Sequence, residues 1–236
     1  MSDRFFFNGP LGPDNVTLTA SEAHHLAAVR RFAVGDVVIL FNGDGHEYPA
    51  RVVGLAKKQV TLQVIGVESP DRELGFPLHI AAALPKGDRG DFLIEKLTEL
   101  GVTDFTPLIT ERGVVKATDA KADKLRRAVI EASKQSGRNV LMRVHGPVEW
   151  LAWCGVQSGA RFIAHPGEAS AIGAAKSLAG GALVAIGPEG GFTDAEVKVG
   201  RTAGWEMLSL GPRVLRIETA ALAAVVVVAI ANQQSQ

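Results

Sequence analysis

The stretch that decides the fold is Ala182-Leu-Val-Ala-Ile186, followed at once by Gly187-Pro-Glu-Gly-Gly-Phe-Thr-Asp194. Five consecutive apolar residues predict a strand buried on both faces, which is the kind of strand that parallel sheets contain. The glycines predict a turn, and Thr193 is a suitable N-cap for a helix that continues to about Ala203. A buried strand, a glycine turn and a capped helix in this order predict an α/β domain.

The same alternation runs through the second part of the chain. Strands are predicted at Leu78–Leu84, Phe105–Ile109, Arg161–Ala164 and Met207–Leu210, and helices at Phe92–Leu100, Lys121–Ser136 and from near Ile217. This order predicts a parallel sheet that helices cover on both faces. The last helix contains the apolar run Ala220–Ala231, which is shorter than the about 20 residues of a membrane span. We therefore expect a buried helix and no membrane partner.

The first 70 residues have a different pattern, with short strands and one helix. Strands are predicted at Val37–Phe41, Tyr48–Leu55 and Val60–Val67, with Asn42-Gly-Asp-Gly45 as a hairpin turn. A helix is expected from the N-cap Ser21 as far as Gly35-Asp36. We interpret Phe5–Phe7 as a core strand rather than as a base-stacking surface. Because Glu68–Gly75 resembles a linker, the predicted domains are a small barrel at 1–70 and an α/β domain at 76–236.

The charge balance gives no clear indication of a nucleic-acid partner. The formal net charge is zero, from 25 basic and 25 acidic residues, and phosphate affinity depends on Lys and Arg. Between Arg112 and Arg143, however, nine basic residues stand against three acidic ones. That excess allows a basic face, although a solvated helix face is the simpler interpretation. The single cysteine, Cys154, forms no internal disulfide, which suits a reducing cytoplasm.

Two glycine turns near the C-terminus are the candidate ligand site. In open α/β sheets, ligands bind beyond the carboxyl ends of strands, where glycine lets the backbone approach closely. The first turn is Gly187–Gly191, whose acidic surroundings disfavour a phosphate and favour a cationic or neutral ligand. The second lies within Leu208-Ser-Leu-Gly-Pro-Arg-Val-Leu-Arg216. Arg213, Arg216 and Glu218 form its rim, and Arg216 with Glu218 is also explained as a simple ion pair.

Common catalytic motifs are absent from the sequence. It contains no Gly-x-Ser-x-Gly elbow, no Walker loop and no His-Glu-x-x-His pair. His24 and His25 are adjacent on a predicted helix, so their side chains point about 100° apart. One cysteine cannot build a zinc cluster. We therefore expect no metal site.

Several ordered blocks resemble one family, the 16S rRNA uridine-N3 methyltransferases, or ribosomal small subunit methyltransferase E family. The two strongest are Ile186-Gly-Pro-Glu-Gly-Gly-Phe192 and Leu210-Gly-Pro-Arg-Val-Leu-Arg-Ile-Glu-Thr-Ala220. Further similar blocks span nearly the whole chain: His24-His-Leu-Ala-Ala-Val-Arg-Arg31, Lys86-Gly-Asp-Arg89, Glu95–Val102, Thr110-Glu-Arg112 and Glu131–Arg138. The resemblance implies a PUA-like barrel followed by a SPOUT-type α/β domain with a C-terminal trefoil knot, and it implies a homodimer.

The implied reaction is transfer of a methyl group from S-adenosylmethionine (SAM) to N3 of a uridine in 16S rRNA, at position 1498 in standard rRNA numbering. The implied partner is 16S rRNA or the 30S subunit, in the cytoplasm. Arg216 is the expected stabiliser of the uridine anion, with Glu218 as its orienting partner. SAM would be bound by His165, Gly187, Pro188, Glu189, Gly190, Gly191, Leu208, Leu210, Gly211, Leu215 and Arg216. RNA would be contacted by Arg4, Arg30, Arg31, Arg112 and Arg138.

Three other functions agree with parts of the sequence. A SPOUT-class methyltransferase acting on another RNA, such as tRNA, would use the same chemistry. A non-catalytic RNA-binding protein would depend on the barrel and would not bind SAM. An enzyme with an anionic nucleotide cofactor is disfavoured by the acidic turn near Glu189.

Overall fold

The computed structural model describes residues 3–26, 32–56, 58–166, 178 and 180–234. The chain forms two compact units. The first comprises Met1–Arg72 together with Ser133–Leu141, and the second comprises Glu73–Ala132 and Met142–Gln236. Sequence patterns alone do not assign Ser133–Leu141 to the first unit. This segment belongs to it because its residues contact residues that are far away in the sequence.

The first unit is built on a curled five-stranded sheet. Its strands, in the spatial order β1-β3-β4-β5-β2, are β1 (Arg4–Phe6), β2 (Asn15–Thr19), β3 (Val37–Phe41), β4 (Tyr48–Ala56) and β5 (Gln59–Val64). β1 pairs with β3 in parallel, and the other pairs are antiparallel. The predicted β3–β4 hairpin is confirmed, with Gly43 and Gly45 at φ angles of 94° and 95° in its turn.

The core of the first unit lies on one side of this sheet. β5 shows the alternation of a half-buried strand, because Val60, Leu62 and Val64 are buried and alternate with polar residues that are more exposed. Phe5 is only 1% exposed and lies in β1, so the prediction of a core strand at Phe5–Phe7 is confirmed for Phe5, while Phe6 and Phe7 are half-buried. The short helix α1 covers Ala20–His24. Its expected continuation toward Gly35 falls largely on residues 27–31, outside the described residues.

The second unit contains a seven-stranded sheet in which every pair is parallel. Its order is β12-β10-β11-β6-β7-β8, with β9 also paired to β7. The strands are β6 (Leu78–Ala83), β7 (Asp104–Ile109), β8 (Arg143–Val144), β9 (Val148–Glu149), β10 (Ala160–Ala164), β11 (Ala182–Ile186) and β12 (Glu206–Leu208). The helices are α2 (Arg89–Glu99), α3 (Asp119–Ser136), α4 (Trp150–Trp153), α5 (Asp194–Thr202) and α6 (Ile217–Gln233), with a 3-10 helix at Cys154–Val156.

The predicted parallel α/β architecture is confirmed, and all five residues of β11 are buried. On one face, a cluster that includes Trp150, Trp205 and Phe192 packs against Leu183 and Ala185. α6 packs on β6 and β11. The strands β8 and β9 were not predicted, because two residues are too few to show periodicity. Among the described residues, no helix combines the length and apolarity needed to cross a membrane.

Candidate active site

The two predicted glycine turns lie together at the carboxyl ends of β10, β11 and β12. They enclose a cavity of about 320 Å³, within the size range of small-molecule sites, roughly 300–1,000 Å³. Nine of the residues expected to bind a cofactor line it: His165, Gly187, Pro188, Glu189, Gly190, Gly191, Leu210, Gly211 and Leu215. The wall between the two turns includes Ile217 and Ala220 of α6.

The first turn is shaped by positions that only glycine fits. A Cβ atom at Gly187 would lie 3.0 Å from the Phe192 ring, so a larger residue would displace that buried side chain. Gly191 has a φ angle of 68°, which side-chain-bearing residues rarely adopt. Its N–H donates to the carbonyl of Pro188 over 2.8 Å. The backbone is therefore held next to the cavity, where it can approach a ligand.

The helix after this turn begins as the sequence predicts. Thr193 is the N-cap of α5, and its side chain accepts from the N–H of Glu196, whose carboxylate accepts the N–H of Thr193. This reciprocal pair is a capping box. The other Glu196 oxygen accepts the N–H of Glu111 over 2.9 Å, although Glu196 is 2% exposed. One buried carboxylate thus joins the start of α5 to the loop that follows β7.

Two arginines outside the predicted cofactor set hold the first turn. Arg112 lines the cavity, and its Nη1 donates to the carbonyl of Gly190 over 2.9 Å. Arg89, at the start of α2, donates to Glu189 over 3.2 Å and lies 3.5 Å from Glu218. We expected Arg112 to bind RNA, and the structure places it on the cavity wall. These contacts of Arg89 were not predicted from the sequence. The position of Arg89 just after β6 could have indicated that it lies near the carboxyl ends of the strands, where ligands bind.

Glu218 and His165 carry buried polar atoms without a partner among the described residues. Glu218 is 7% exposed, and its Oε2 makes no hydrogen bond. Its Oε1 faces Arg89, so the expected ion pair with Arg216 is not present. His165 lines the cavity, its N–H donates to Leu208, and its Nδ1 is unsatisfied. Because buried polar atoms are nearly always paired, the Nδ1 of His165 is a candidate contact for a ligand.

The second turn presents exposed cations beside the cavity. Arg216 is the N-cap residue of α6, its side chain makes no capping bond, and it is exposed. Arg213 is exposed and lines the cavity. Neither arginine side chain has a hydrogen bond or ion pair in the described part of the chain. Leu208 is fully buried in β12. Leu208 and Arg216 are the two residues expected to bind the cofactor that do not line the cavity.

Two of the arginines expected to bind RNA are largely buried. The side chain of Arg4 is 8% exposed and pairs with Glu47 and Asn139 inside the first unit. Arg138 is 3% exposed. Their RNA contacts stay a prediction that these buried positions do not favour. Arg30 and Arg31 lie outside the described residues.

Comparison with known proteins extends this description. The model of an RNA methyltransferase domain matches residues 72–229, and the model of an RNA methyltransferase PUA domain matches residues 18–65. Ribosomal RNA small subunit methyltransferase E of Bacillus subtilis is 37% identical over 222 residues, which cover 87% of this chain and 86% of the relative. The chain belongs to the ribosomal RNA small subunit methyltransferase E family.

Solved members of similar fold agree with this family assignment. A putative methyltransferase from Legionella pneumophila, solved with bound SAM, is 34% identical, has a TM-score of 0.91 and is covered over 98% of both chains. A ribosomal RNA small subunit methyltransferase E from Neisseria gonorrhoeae, also bound to SAM, is 29% identical with a TM-score of 0.88. The match covers 95% of this chain and 96% of that one.

Proposed function

We propose that this protein is an enzyme that transfers a methyl group from SAM to N3 of a uridine in 16S rRNA of the small ribosomal subunit. The observation that carries the proposal is the cavity formed by two glycine turns at the carboxyl ends of β11 and β12. Relatives of this chain are named rRNA small subunit methyltransferases. Two proteins of similar structure were solved with bound SAM. The specific N3 position and its uridine follow from the motif resemblance.

The residues of the cavity fit SAM. The glycines of the two turns, Gly187, Gly190, Gly191 and Gly211, bring the backbone to the cavity wall with no side chain of their own, which allows close approach of an adenine. The unsatisfied Nδ1 of His165 offers a hydrogen bond to a polar group of the ligand. Glu189 and Asp194 place negative charge beside the cavity, which complements a cationic sulfonium.

The reaction requires a nucleophile with an accessible lone pair and a good leaving group. SAM, when bound, supplies a methyl group on a sulfonium, so that a neutral thioether leaves. N3 of uridine carries a proton that must be lost, and a cation near the base stabilises the anion that results. Arg216 is our candidate for that cation, because its guanidinium is exposed beside the cavity and has no partner in the described residues. N3 lies on the Watson–Crick edge, so the base must be unpaired to react.

Glu218 has a different role from the one expected from sequence. Its carboxylate faces Arg89 rather than Arg216. We propose that Glu218 and Arg89 together fix the start of α6, from which Arg216 projects. Glu218 is then a positioning residue that acts on the catalytic arginine through the helix.

The test is methyl transfer to rRNA from cells that lack this enzyme. Purified protein, labelled SAM and either 30S subunits or free 16S rRNA are combined, and the modified nucleotide is mapped by mass spectrometry. We expect label at a single N3-methyluridine in 16S rRNA. Label in tRNA would favour a SPOUT-class methyltransferase that acts on tRNA. If calorimetry detected no binding of SAM, a non-catalytic RNA-binding protein would be favoured.

The remaining features of the family are part of the same proposal. They are the PUA-like and SPOUT assignments with domains near 1–70 and 76–236, the C-terminal trefoil knot, a cytoplasmic location and a homodimer. The dimer is supported by an apolar strip on α6, where Val226, Val227 and Ile230 are 44%, 37% and 49% exposed. Such a strip on a helix favours burial against another surface. Sedimentation velocity tests it, and a monomer at micromolar concentration would contradict it.

A further inference from the structure

The loop between Gly211 and Arg216 has an unusual surface. It has a cation at each end of the sequence Arg213-Val-Leu-Arg216 and no acidic residue within it. Val214, between the two arginines, is 83% exposed and is the most exposed large apolar side chain of the described residues. A water-facing valine, next to two cations that have no partner among the described residues, does not stabilise the fold. The loop is therefore a candidate contact surface.

The position of the loop relates it to the cavity. Gly211 has a φ angle of 99°, which turns the chain sharply after β12. A Cβ atom at Gly211 would lie 3.7 Å from Nη2 of Arg213, so this guanidinium lies against the turn. Arg213, Val214 and Leu215 all line the cavity. A polymer whose reacting unit enters the cavity along this wall therefore contacts the loop.

Two other cations near the cavity are already engaged. Arg89 is bound to Glu189, and Arg112 is bound to the carbonyl of Gly190. Arg213 has no hydrogen bond or ion pair to any described residue, so its charge is available to a partner. An unpaired guanidinium matches the two oxygens of a phosphodiester. An exposed aliphatic side chain beside it matches the apolar face of a nucleotide.

We infer that the Arg213–Val214 tip binds the RNA strand next to the target nucleotide, with Arg213 on a phosphodiester and Val214 against the neighbouring ribose or base. This inference rests on the proposed function, since it concerns the substrate of the same cavity. It assigns the two residues different physical roles. Arg213 contributes counterion release, and Val214 contributes removal of apolar surface from water.

The two roles predict different signatures in RNA binding. Fluorescence anisotropy with a short labelled single-stranded RNA containing one uridine is measured at several salt concentrations, with SAM saturating throughout. For Arg213→Gln we expect affinity to fall about 3- to 10-fold, and the slope of log K against log salt to decrease by about 0.7. For Val214→Ala we expect a fall of about 3- to 5-fold with an unchanged slope. Lys198→Gln is the control, because Lys198 is an exposed cation that does not line the cavity.

Several results would overturn the inference. They are an unchanged salt slope in Arg213→Gln, or an effect of Lys198→Gln equal to that of Arg213→Gln. A change of sedimentation coefficient in Val214→Ala would assign the tip to a protein interface and would also overturn it. The proposed function fails by a different result, namely wild-type protein that neither binds SAM nor methylates rRNA. The two failures are therefore distinguishable in one set of preparations.

Discussion

The Asp104 network at the amino ends of the parallel strands (the amino edge of the sheet) and the candidate site at their carboxyl ends (the carboxyl edge) differ in how their polar groups are satisfied. At the amino edge, Asp104 at the start of β7 accepts two hydrogen bonds from Arg143, each 2.7 Å long, and lies 2.8 Å from Nε2 of His145. At the carboxyl edge, Arg213 and Arg216 have no partner among the described residues, and buried atoms of His165 and Glu218 are unsatisfied. Satisfied groups serve the fold, whereas unsatisfied ones are retained where a ligand completes them.

The amino edge also contains a ring cluster that extends its side-chain network. The His79 ring lies 5.4 Å from His145 and 5.8 Å from Trp153, and its Nε2 is 2.8 Å from the hydroxyl of Thr106. Burial would raise the pKa of Asp104, but hydrogen bonds from Arg143 and His145 outweigh it and hold that pKa well below its usual value. Changes at this edge should alter stability, and changes at the carboxyl edge should alter binding and catalysis.

The largest expected effect is at Gly190, where a tryptophan would fill the cavity. The φ angle of Gly190 is not in the left-handed region, and a Cβ atom there would meet Arg112 at 3.4 Å, an ordinary contact. Gly190→Trp should therefore fold but lose at least about 100-fold in SAM affinity by calorimetry, about 2.7 kcal/mol. Gly190→Ala is the matched control, with affinity expected within about threefold of the wild type. Full SAM affinity in the tryptophan variant would place the cofactor elsewhere.

The next effect concerns Arg216 and the chemical step. Its side chain makes no bond within the described residues, while its carbonyl accepts from Ala220 through the backbone. Arg216→Ala should therefore leave the melting temperature nearly unchanged and lower the rate of methyl transfer at least about 100-fold, as for the loss of one oxyanion donor. Single-turnover assays with saturating SAM measure the rate. Near-normal turnover would remove Arg216 from catalysis.

Local sequence signals predicted the carboxyl edge well. β11, the glycine turn and the Thr193 cap lie within thirteen consecutive residues, so propensity and capping rules are sufficient. The cavity lies at the carboxyl ends of three strands, β10, β11 and β12. The general rule that ligands bind beyond the carboxyl ends of parallel strands places it there. Nine of the eleven residues proposed for SAM line one cavity for this reason.

The pairings of Arg4 and Glu218 were not predicted, because their partners are distant in sequence. Arg4 is paired with Glu47 and Asn139, which are 43 and 135 residues away. Glu218 faces Arg89 at a separation of 129 residues. A charged residue in a single sequence carries no sign of such a partner, so an exposed, RNA-binding arginine and a buried structural one look the same. Only the tertiary structure separates Arg4 from Arg213.

The amino edge provides a stability prediction that depends on pH. Burial lowers the pKa of His79 to about 4 in the folded protein, against about 6.5 in an unfolded chain. The unfolded state therefore binds a proton first as the pH falls, and stability is lost between about pH 6.5 and 4. We expect a loss of about 3 kcal/mol in the free energy of unfolding across this window, measured by urea denaturation.

A variant isolates this contribution of His79. His79→Asn removes the titrating ring and keeps a polar atom near Thr106. Its stability curve should be flatter than that of the wild type between pH 6.5 and 4, and its SAM affinity at pH 7.5 should be unchanged. Parallel curves for the two proteins would show that other groups cause the acid sensitivity.

The smallest expected effect is at Asp104, and it tests whether the amino edge serves only the fold. Asp104→Asn keeps the shape of the side chain but removes the charge that Arg143 and His145 share. Because the Arg143 side chain is 70% exposed, water partly replaces the lost bonds. We therefore expect a loss of about 1.5 kcal/mol at pH 7.5. Asp123→Asn is the control, since its pair with Arg126 is exposed on both sides and should contribute less than about 0.5 kcal/mol. If Asp104→Asn instead weakened SAM binding, the two edges would be coupled through the sheet, and the separation of fold from function between them would be wrong.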